Sequence, residues 1–546
     1  MDLNEIDNLI RASRVDVATK RLLKEIKSKK ATIEVYRRAI EIASSQQNIK
    51  EVVRLYKSAM MAFPSNPDLK NQYLQFCLQK EVYDEAIKFL AKLLKHNPNN
   101  VDAELALADC YIKTGQAQKS TIILNKLNEN GYAREETYRL LGDAYVELDK
   151  PDEAFESFKQ AVKQFKPTIN TVASFLNHCD RTNRQKEIAE LISDLDEEII
   201  KAPGVLFHLA AFYSREKEFD KAEACYKDFF QHRPTVSAQA YTKAIYEHGF
   251  LLDKMGKYQD AIVAFQTAND FAFQMYGQDA ELTTIETVEL LKKLKVEGES
   301  SFKAPVFVIG FLRSGTTLVD QVLSTNKTVQ VFEETPVLGK VFINNLKSIR
   351  KGRILSRKKM QKAFFDYYKK DYGWTGDRLL IDRSAPNMIY LNFIREIFPE
   401  AKIVILNRHP LDIILSCYMQ FFVPSSLTRD FMKLNEIAKV FNHVMADVPL
   451  RAKEDTTLTI KYEDLVSDFE NTTKELFSFL DLEWSDKTSE FYKVALEKKQ
   501  IQTASYHQVV QPLYNNSLNR WKNYDLLLSP YYETLRGITE KLGYQI

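Results

Sequence analysis

The chain has 546 residues, long enough for more than one domain. Its 45% hydrophobic and 27% charged residues are those of an ordinary soluble globular protein, and a formal net charge of +2 argues against a general nucleic-acid binder. Five cysteines (Cys77, Cys110, Cys179, Cys225 and Cys417) are dispersed without a C-x-x-C pair, which points to reduced thiols rather than a disulfide framework or a zinc site.

At the N-terminus, Met1-Asp2-Leu3-Asn4-Glu5-Ile6 lacks the basic stretch and apolar run of a secretory signal. No apolar run approaches the roughly 20 residues needed to cross a bilayer. A cytoplasmic location is expected. The first half is periodic. Ala86, Ser120, Ala154, Ile188 and Ala222 follow one another at intervals of 34 residues. Around them recur Tyr83-Asp84-Glu85-Ala86, Pro151-Asp152-Glu153-Ala154 and Phe219-Asp220-Lys221-Ala222. A second in-phase set is Leu107-Ala108-Asp109-Cys110-Tyr111 and Leu141-Gly142-Asp143-Ala144-Tyr145. Gly256-Lys257-Tyr258-Gln259-Asp260-Ala261 follows after a longer gap. Small residues that let two antiparallel helices approach, and large apolar residues between units, are the mechanics of a stacked helical array. The pattern resembles the tetratricopeptide repeat. The resemblance implies a solenoid whose concave face takes a peptide or protein, or which serves as a scaffold or dimerisation arm. The array ends near Leu294, and Lys295 to Lys303 reads as a short linker.

From Ala304 the pattern changes to strands alternating with helices, the mark of a parallel sheet in an α/β fold. Expected strands are Val306–Ile309, Val329–Val331, Leu379–Ile381, Lys402–Leu406 and Leu458–Ile460. In such sheets ligands bind beyond the carboxyl ends of the strands, where Arg313, Arg383, Arg408 and Tyr462 stand. The first strand runs into Gly310-Phe311-Leu312-Arg313-Ser314-Gly315-Thr316-Thr317, and Thr316 to Leu323 reads as a helix start. Strand, glycine loop and helix form a phosphate cradle built on backbone N–H groups. The G-x4-G spacing is that of a nucleotide-binding P-loop, but Thr316 replaces its lysine.

Four segments in order then resemble the sulfotransferases. Arg313-Ser314-Gly315-Thr316-Thr317 is similar to the loop gripping the 5′-phosphosulfate of 3′-phosphoadenosine 5′-phosphosulfate (PAPS). Arg408, with Ser416 eight positions on, is similar to the 3′-phosphate segment. Lys461-Tyr462-Glu463-Asp464-Leu465 resembles the adenine segment. Thr503-Ala504-Ser505-Tyr506-His507-Gln508-Val509, Gln511-Pro512-Leu513-Tyr514 and Arg520-Trp521-Lys522 resemble the C-terminal signature of tetratricopeptide-linked sulfotransferases, a branch similar to the tyrosylprotein enzymes. The resemblance implies degenerate or capping helices over 1–50, a repeat solenoid over 51–294, a linker over 295–303 and a P-loop-like α/β catalytic domain over 304–546. It also implies PAPS as co-substrate, adenosine 3′,5′-bisphosphate as product and no metal.

By that resemblance Glu334, in Phe332-Glu333-Glu334-Thr335, is the general base for an acceptor hydroxyl. Arg313, Arg383 and the loop amides would stabilise the leaving phosphate. Arg313, Ser314, Gly315, Thr316, Thr317, Arg408, Ser416, Tyr462, Arg520, Trp521 and Lys522 would hold the co-substrate. Arg383 stands where the family commonly has lysine, Pro336 replaces the arginine that tyrosylprotein enzymes carry two positions after the base, and Leu312 replaces a loop proline. Two other readings are a non-catalytic adaptor built on the solenoid and a P-loop kinase with Asp382 on a metal; the missing loop lysine speaks against the kinase. The basic run Lys347, Arg350, Lys351, Arg353, Arg357, Lys358, Lys359 and Lys362 reads as a solvated helix face or a recruiter of an acidic acceptor. A peptide tyrosine, a sugar hydroxyl and a small phenol are all compatible acceptors.

Overall fold

The computed structural model describes residues 3–28, 31–277, 282–422, 425, 427–446, 448, 454–493 and 518–546. The chain divides into two compact units, Met1–Cys179 and Asp180–Ile546. In the first, helices pair in antiparallel hairpins: Pro67–Gln79 with Tyr83–His96, Val101–Lys113 with Ala117–Glu129, and Glu135–Glu147 with Pro151–Gln164. Local sequence sets their starts. Asn48, Asn66 and Asn100 accept the backbone N–H of Glu51, Leu69 and Ala103, and Pro67 and Pro151 open first turns. Ala86, Ser120 and Ala154 are fully buried, as close helix approach requires. A methyl group on Gly142 would lie within 2.5–2.7 Å of the Phe158 ring, so that glycine lets the neighbouring helix in.

The second unit begins with the same architecture. Pro203–Arg215 packs on Phe219–Gln231, and Ala238–Lys254 on Tyr258–Tyr276. Ile188 fills the small-residue position of a helix only ten residues long, Gln185–Asp194. These helices are followed by Thr284–Lys292 and then by strands. Val296–Glu297 (β1) lies in the segment read as a linker and pairs in parallel with Leu355–Ser356 (β4). The main sheet comprises Val306–Gly310 (β2), Val329–Glu333 (β3), Leu379–Arg383 (β5), Ile403–Asn407 (β6) and Thr457–Lys461 (β7). Its order is β3-β5-β2-β6-β7, all parallel. The expected helical repeats and parallel α/β sheet are therefore both present.

β2 is buried on both faces, which explains its unbroken apolar run. Val306 and Val308 join Leu318, Val404, Leu406 and Ile460 on one face, while Phe307 and Ile309 join Phe364, Phe398 and Ile405 on the other. The second core also takes in Ile245, Phe265 and Ala268 from the helices before the sheet. Asn269 locks that junction, accepting from the Tyr246 hydroxyl at 2.8 Å and donating to the Tyr418 carbonyl at 2.9 Å. Among the described residues no helix is long and apolar enough to cross a membrane.

Candidate active site

The carboxyl ends of β2 and β6 lie side by side, with Gly310 in register with Leu406. The loop after β2 turns through two left-handed residues, Arg313 at φ 70° and Gly315 at φ 103°, into the helix Thr316–Leu323. Phe311 anchors it from below between the rings of Phe431 and Phe441, at 5.8 and 5.0 Å. Both glycines are required. A side chain on Gly310 would collide with Ser314 Oγ and come within 2.7 Å of the Leu406 carbonyl; one on Gly315 would run into the Tyr462 ring. Ser314 is fully buried, and its hydroxyl has no hydrogen-bond partner among the described residues. A buried hydroxyl beside the unpaired N–H groups of a helix start is an arrangement suited to an anion.

Two expected phosphate segments meet here. Arg313 Nε donates to Ser416 Oγ at 3.1 Å, and Arg408 Nη1 donates to the Arg313 carbonyl at 3.3 Å. Ser416 comes from the helix Pro410–Tyr418, which starts at the proline, as expected. The Arg408 guanidinium lies 4.9 Å over the Tyr462 ring, with Asp412 at 3.8 Å. Arg313, Ser314, Gly315, Arg408, Ser416 and Tyr462 thus converge on one crevice. Thr316 and Thr317 are buried in the first helical turn.

The base side is arranged differently. β5 runs two residues further than its apolar pattern suggests, so Arg383 lies inside the sheet, in register with Glu333 and Val308. It is wholly enclosed. Nη2 meets Asp320 at 2.9 Å and Glu333 at 2.5 Å, and Nη1 donates to Glu334 Oε1 at 2.6 Å. Burial works against its charge, but Asp320, Glu334 and Glu333 together raise its pKa. Glu334 itself sits at φ 47°. Its N–H donates to the Arg383 carbonyl at 2.9 Å, its other oxygen accepts from Ser384 Oγ at 3.4 Å, and the Ala385 N–H donates to the carboxylate. The side chain is 37% exposed, yet protein crowds its carboxylate. That desolvation holds its pKa above the usual range, opposed by Arg383. Beneath it Asp382 is fully buried and accepts from Asn387 Nδ2 at 3.0 Å. Burial pushes its carboxyl up to about 7.

The C-terminal signature falls partly outside the described residues: Thr503–Val509 and Gln511–Tyr514 do. Arg520 turns to Asp253, with Nη2 at 2.8 Å and Nε at 3.2 Å. Trp521 stacks on His409 at 5.0 Å, and Lys522 Nζ stands 5.8 Å from the Trp521 ring. The basic run is not one helix face. Lys347 and Arg350 end the helix Val337–Arg350, Lys351 and Arg353 lie in the connection to β4, and the rest open the helix Arg357–Tyr372. Sequence reasoning missed Asp320, Glu333, Asp412 and Glu463. Asp320 and Asp412 are the only acids in two short helices whose residues are mostly buried, and that was the available signal. Asp412 accepts the N–H of Asn519 and of Trp521, while Glu463 accepts the His409 N–H and the Tyr544 hydroxyl.

A family model described as "Sulfotransferase family" matches residues 305–486, and tetratricopeptide-repeat models match residues 78–144 and 135–165. An Aquifex aeolicus (strain VF5) protein described as uncharacterized is 23% identical over 98% of this chain and 73% of its own length. The Caenorhabditis elegans "Protein-tyrosine sulfotransferase A" is 25% identical over 40% of this chain, which spans 60% of that protein. A solved "Sulfotransferase Domain from the Synechococcus PCC 7002 Olefin Synthase" is 18% identical, with a TM-score of 0.34, covering 46% of this chain and 98% of that one. The chain carries a sulfotransferase-family domain over residues 305–486, preceded by tetratricopeptide repeats.

Proposed function

We propose that this protein transfers a sulfuryl group from PAPS to an acceptor hydroxyl. The observation that carries the reading is the meeting of the glycine loop with Arg408 and Ser416 through Arg313. The residues fit such a co-substrate: a loop closed to any Cβ at Gly310 and Gly315, a buried Ser314 hydroxyl with no hydrogen-bond partner among the described residues, and an arginine resting on an aromatic ring. PAPS supplies the sulfuryl group and a 5′-phosphate leaving group. The N–H groups of Gly315, Thr316 and Thr317, with Arg313 and Ser314, hold the 5′ end. Arg408 and Ser416 recognise the 3′-phosphate, because a planar guanidinium pairs with phosphate oxygens. Tyr462 lines the base, and the turn Arg520–Lys522 closes that side. Domain boundaries at 294 and 304 and a cytoplasmic setting belong to the same reading, as do a peptide or protein partner on the repeats and a homodimer.

Glu334 removes the acceptor proton. Its raised pKa strengthens it as a base, and Arg383, Ser384 and the Ala385 N–H fix both oxygens, leaving their remaining lone pairs for the acceptor. Arg383 has its charge enclosed by three carboxylates. It acts on the reaction through Glu334, by holding that carboxylate in place. The same enclosure favours the second reading, an adaptor that binds nucleotide without turnover. Thermal-shift titration with adenosine 3′,5′-bisphosphate, with ATP and Mg²⁺, and without ligand separates them when combined with labelled PAPS and an acceptor screen. Stabilisation by the bisphosphate with label transfer supports the transferase. Stabilisation without transfer supports the adaptor, and no stabilisation sinks the PAPS reading.

A further inference from the structure

We infer that Asp253, on the helix Ala238–Lys254 ahead of the sheet, is a positioning residue for Arg408 and hence for the 3′-phosphate; the inference rests on the PAPS reading. Asp253 receives Nε and Nη2 of Arg520 in a two-point contact and the Tyr524 hydroxyl at 2.6 Å. Tyr524 is fully buried, its ring 5.6 Å from Tyr258 on the next helix. These contacts pin the turn Arg520–Tyr524, which is entered through a left-handed Asn519 at φ 55°.

A second acid holds the same turn from the opposite side. The backbone N–H of Asn519 reaches Asp412 at 3.0 Å and that of Trp521 at 2.9 Å. Asp412 is nearly fully buried, and its Oδ2 lies 3.8 Å from Arg408 Nη2. Two amide donors take up about half of that carboxylate's acceptor sites and hold it at 3.8 Å from the guanidinium rather than in close contact. Released from Asp253, the turn shifts and Asp412 loses its amides. The uncompensated carboxylate then draws Arg408 into a close ion pair, away from a ligand phosphate. Trp521, stacked on His409, moves with the turn. A residue of the repeat-like helices therefore sets the anion affinity of the crevice.

The test titrates the full-length protein with adenosine 3′,5′-bisphosphate and, in parallel, with adenosine 5′-phosphate, which lacks the 3′ group. Wild type, Asp253→Asn and Asp253→Glu are compared by calorimetry, with thermal unfolding of each free protein as control. Asp253→Asn should weaken bisphosphate binding about ten-fold, the worth of one charge-assisted hydrogen bond. It should leave 5′-phosphate binding within about two-fold, and Asp253→Glu should restore part of the affinity. If Asp253→Asn does not fold, Tyr524→Phe removes one donor from the same carboxylate and should give a smaller weakening of the same kind. Wild-type failure to bind the bisphosphate defeats the PAPS reading. Wild-type binding with an unchanged variant, or an equal weakening for both nucleotides, overturns the role of Asp253.

Discussion

Two arginines at the carboxyl end of one sheet have opposite surroundings. Arg383, the last residue of β5, is sealed among Asp320, Glu333 and Glu334. Arg408, the first residue after β6, rests on the Tyr462 ring and the Arg313 carbonyl, with Asp412 at the longer distance of 3.8 Å. One guanidinium is held by three carboxylates; the other, also buried, lies on an aromatic ring. The lesson is about position. A single residue of strand length separates a cation paired by carboxylates at the strand end from one laid on an aromatic ring. On the proposed reading the first arginine belongs to a carboxylate-rich base wall and the second to an anion-accepting wall.

Removing the base should give the largest effect. Glu334→Gln is expected to lower transfer about 10²–10⁴-fold, the usual worth of a general base, with bisphosphate binding unchanged. Because the Glu334 pKa is raised, the rate should climb with pH through a value above the ordinary carboxylate range and then level; transfer assays with labelled PAPS measure both. Arg383→Met should cost about 3–5 kcal/mol, since three carboxylates lose their common partner. Trp374, Trp484 and Trp521 all lie in the second unit, so tryptophan fluorescence in urea reports it. A destabilisation below about 1 kcal/mol would mean the enclosure is not stabilising.

On the anion wall, Arg408→Gln should weaken bisphosphate binding by about 1.5–3 kcal/mol, read by calorimetry, and should destabilise less than Arg383→Met because Asp412 keeps two amide donors. The contrast with Arg383→Met breaks down if the two variants behave alike. Asp382 sharpens the comparison through pH. In the folded protein it keeps its proton up to about 7, whereas an unfolded chain releases it at about 4. The folded state then binds more protons across that window, so stability falls as pH rises through it. Asp382→Asn should flatten that fall, seen as a thermal midpoint less dependent on pH. Smallest of all, Lys362→Ala breaks only an exposed pair with Asp366 and should shift stability by no more than about 0.5 kcal/mol.

Much of the framework was legible in the sequence because it rests on local rules. Glycines 310 and 315, the apolar runs of β2 and β6 and the proline at 410 each dictate backbone form where they stand. The 34-residue phase finds Ala86, Ser120 and Ala154 because close packing demands small side chains at a fixed interval. The pairing of charges was not legible. Asp320 meets Arg383 across 63 residues, and Asp253 meets Arg520 across 267, set by which strand or helix lies adjacent. The extra length of β5 was hidden because Asp382 and Arg383 are polar residues buried by partners rather than by hydrophobicity. The basic run misled for a related reason: charge alone carries no signal of the turn and strand that divide it.

Cys417 follows Ser416 on the helix beneath the glycine loop, and its Sγ lies 3.5 Å from the Leu312 carbonyl. Full enclosure pushes its thiol up to about 12, whereas Cys225 is only partly buried. A maleimide added to the native protein will therefore modify Cys225 first and reach Cys417 only when the floor of the loop opens. The chain thus contains its own chemical clock for that opening, and any molecule that fills the crevice should slow it.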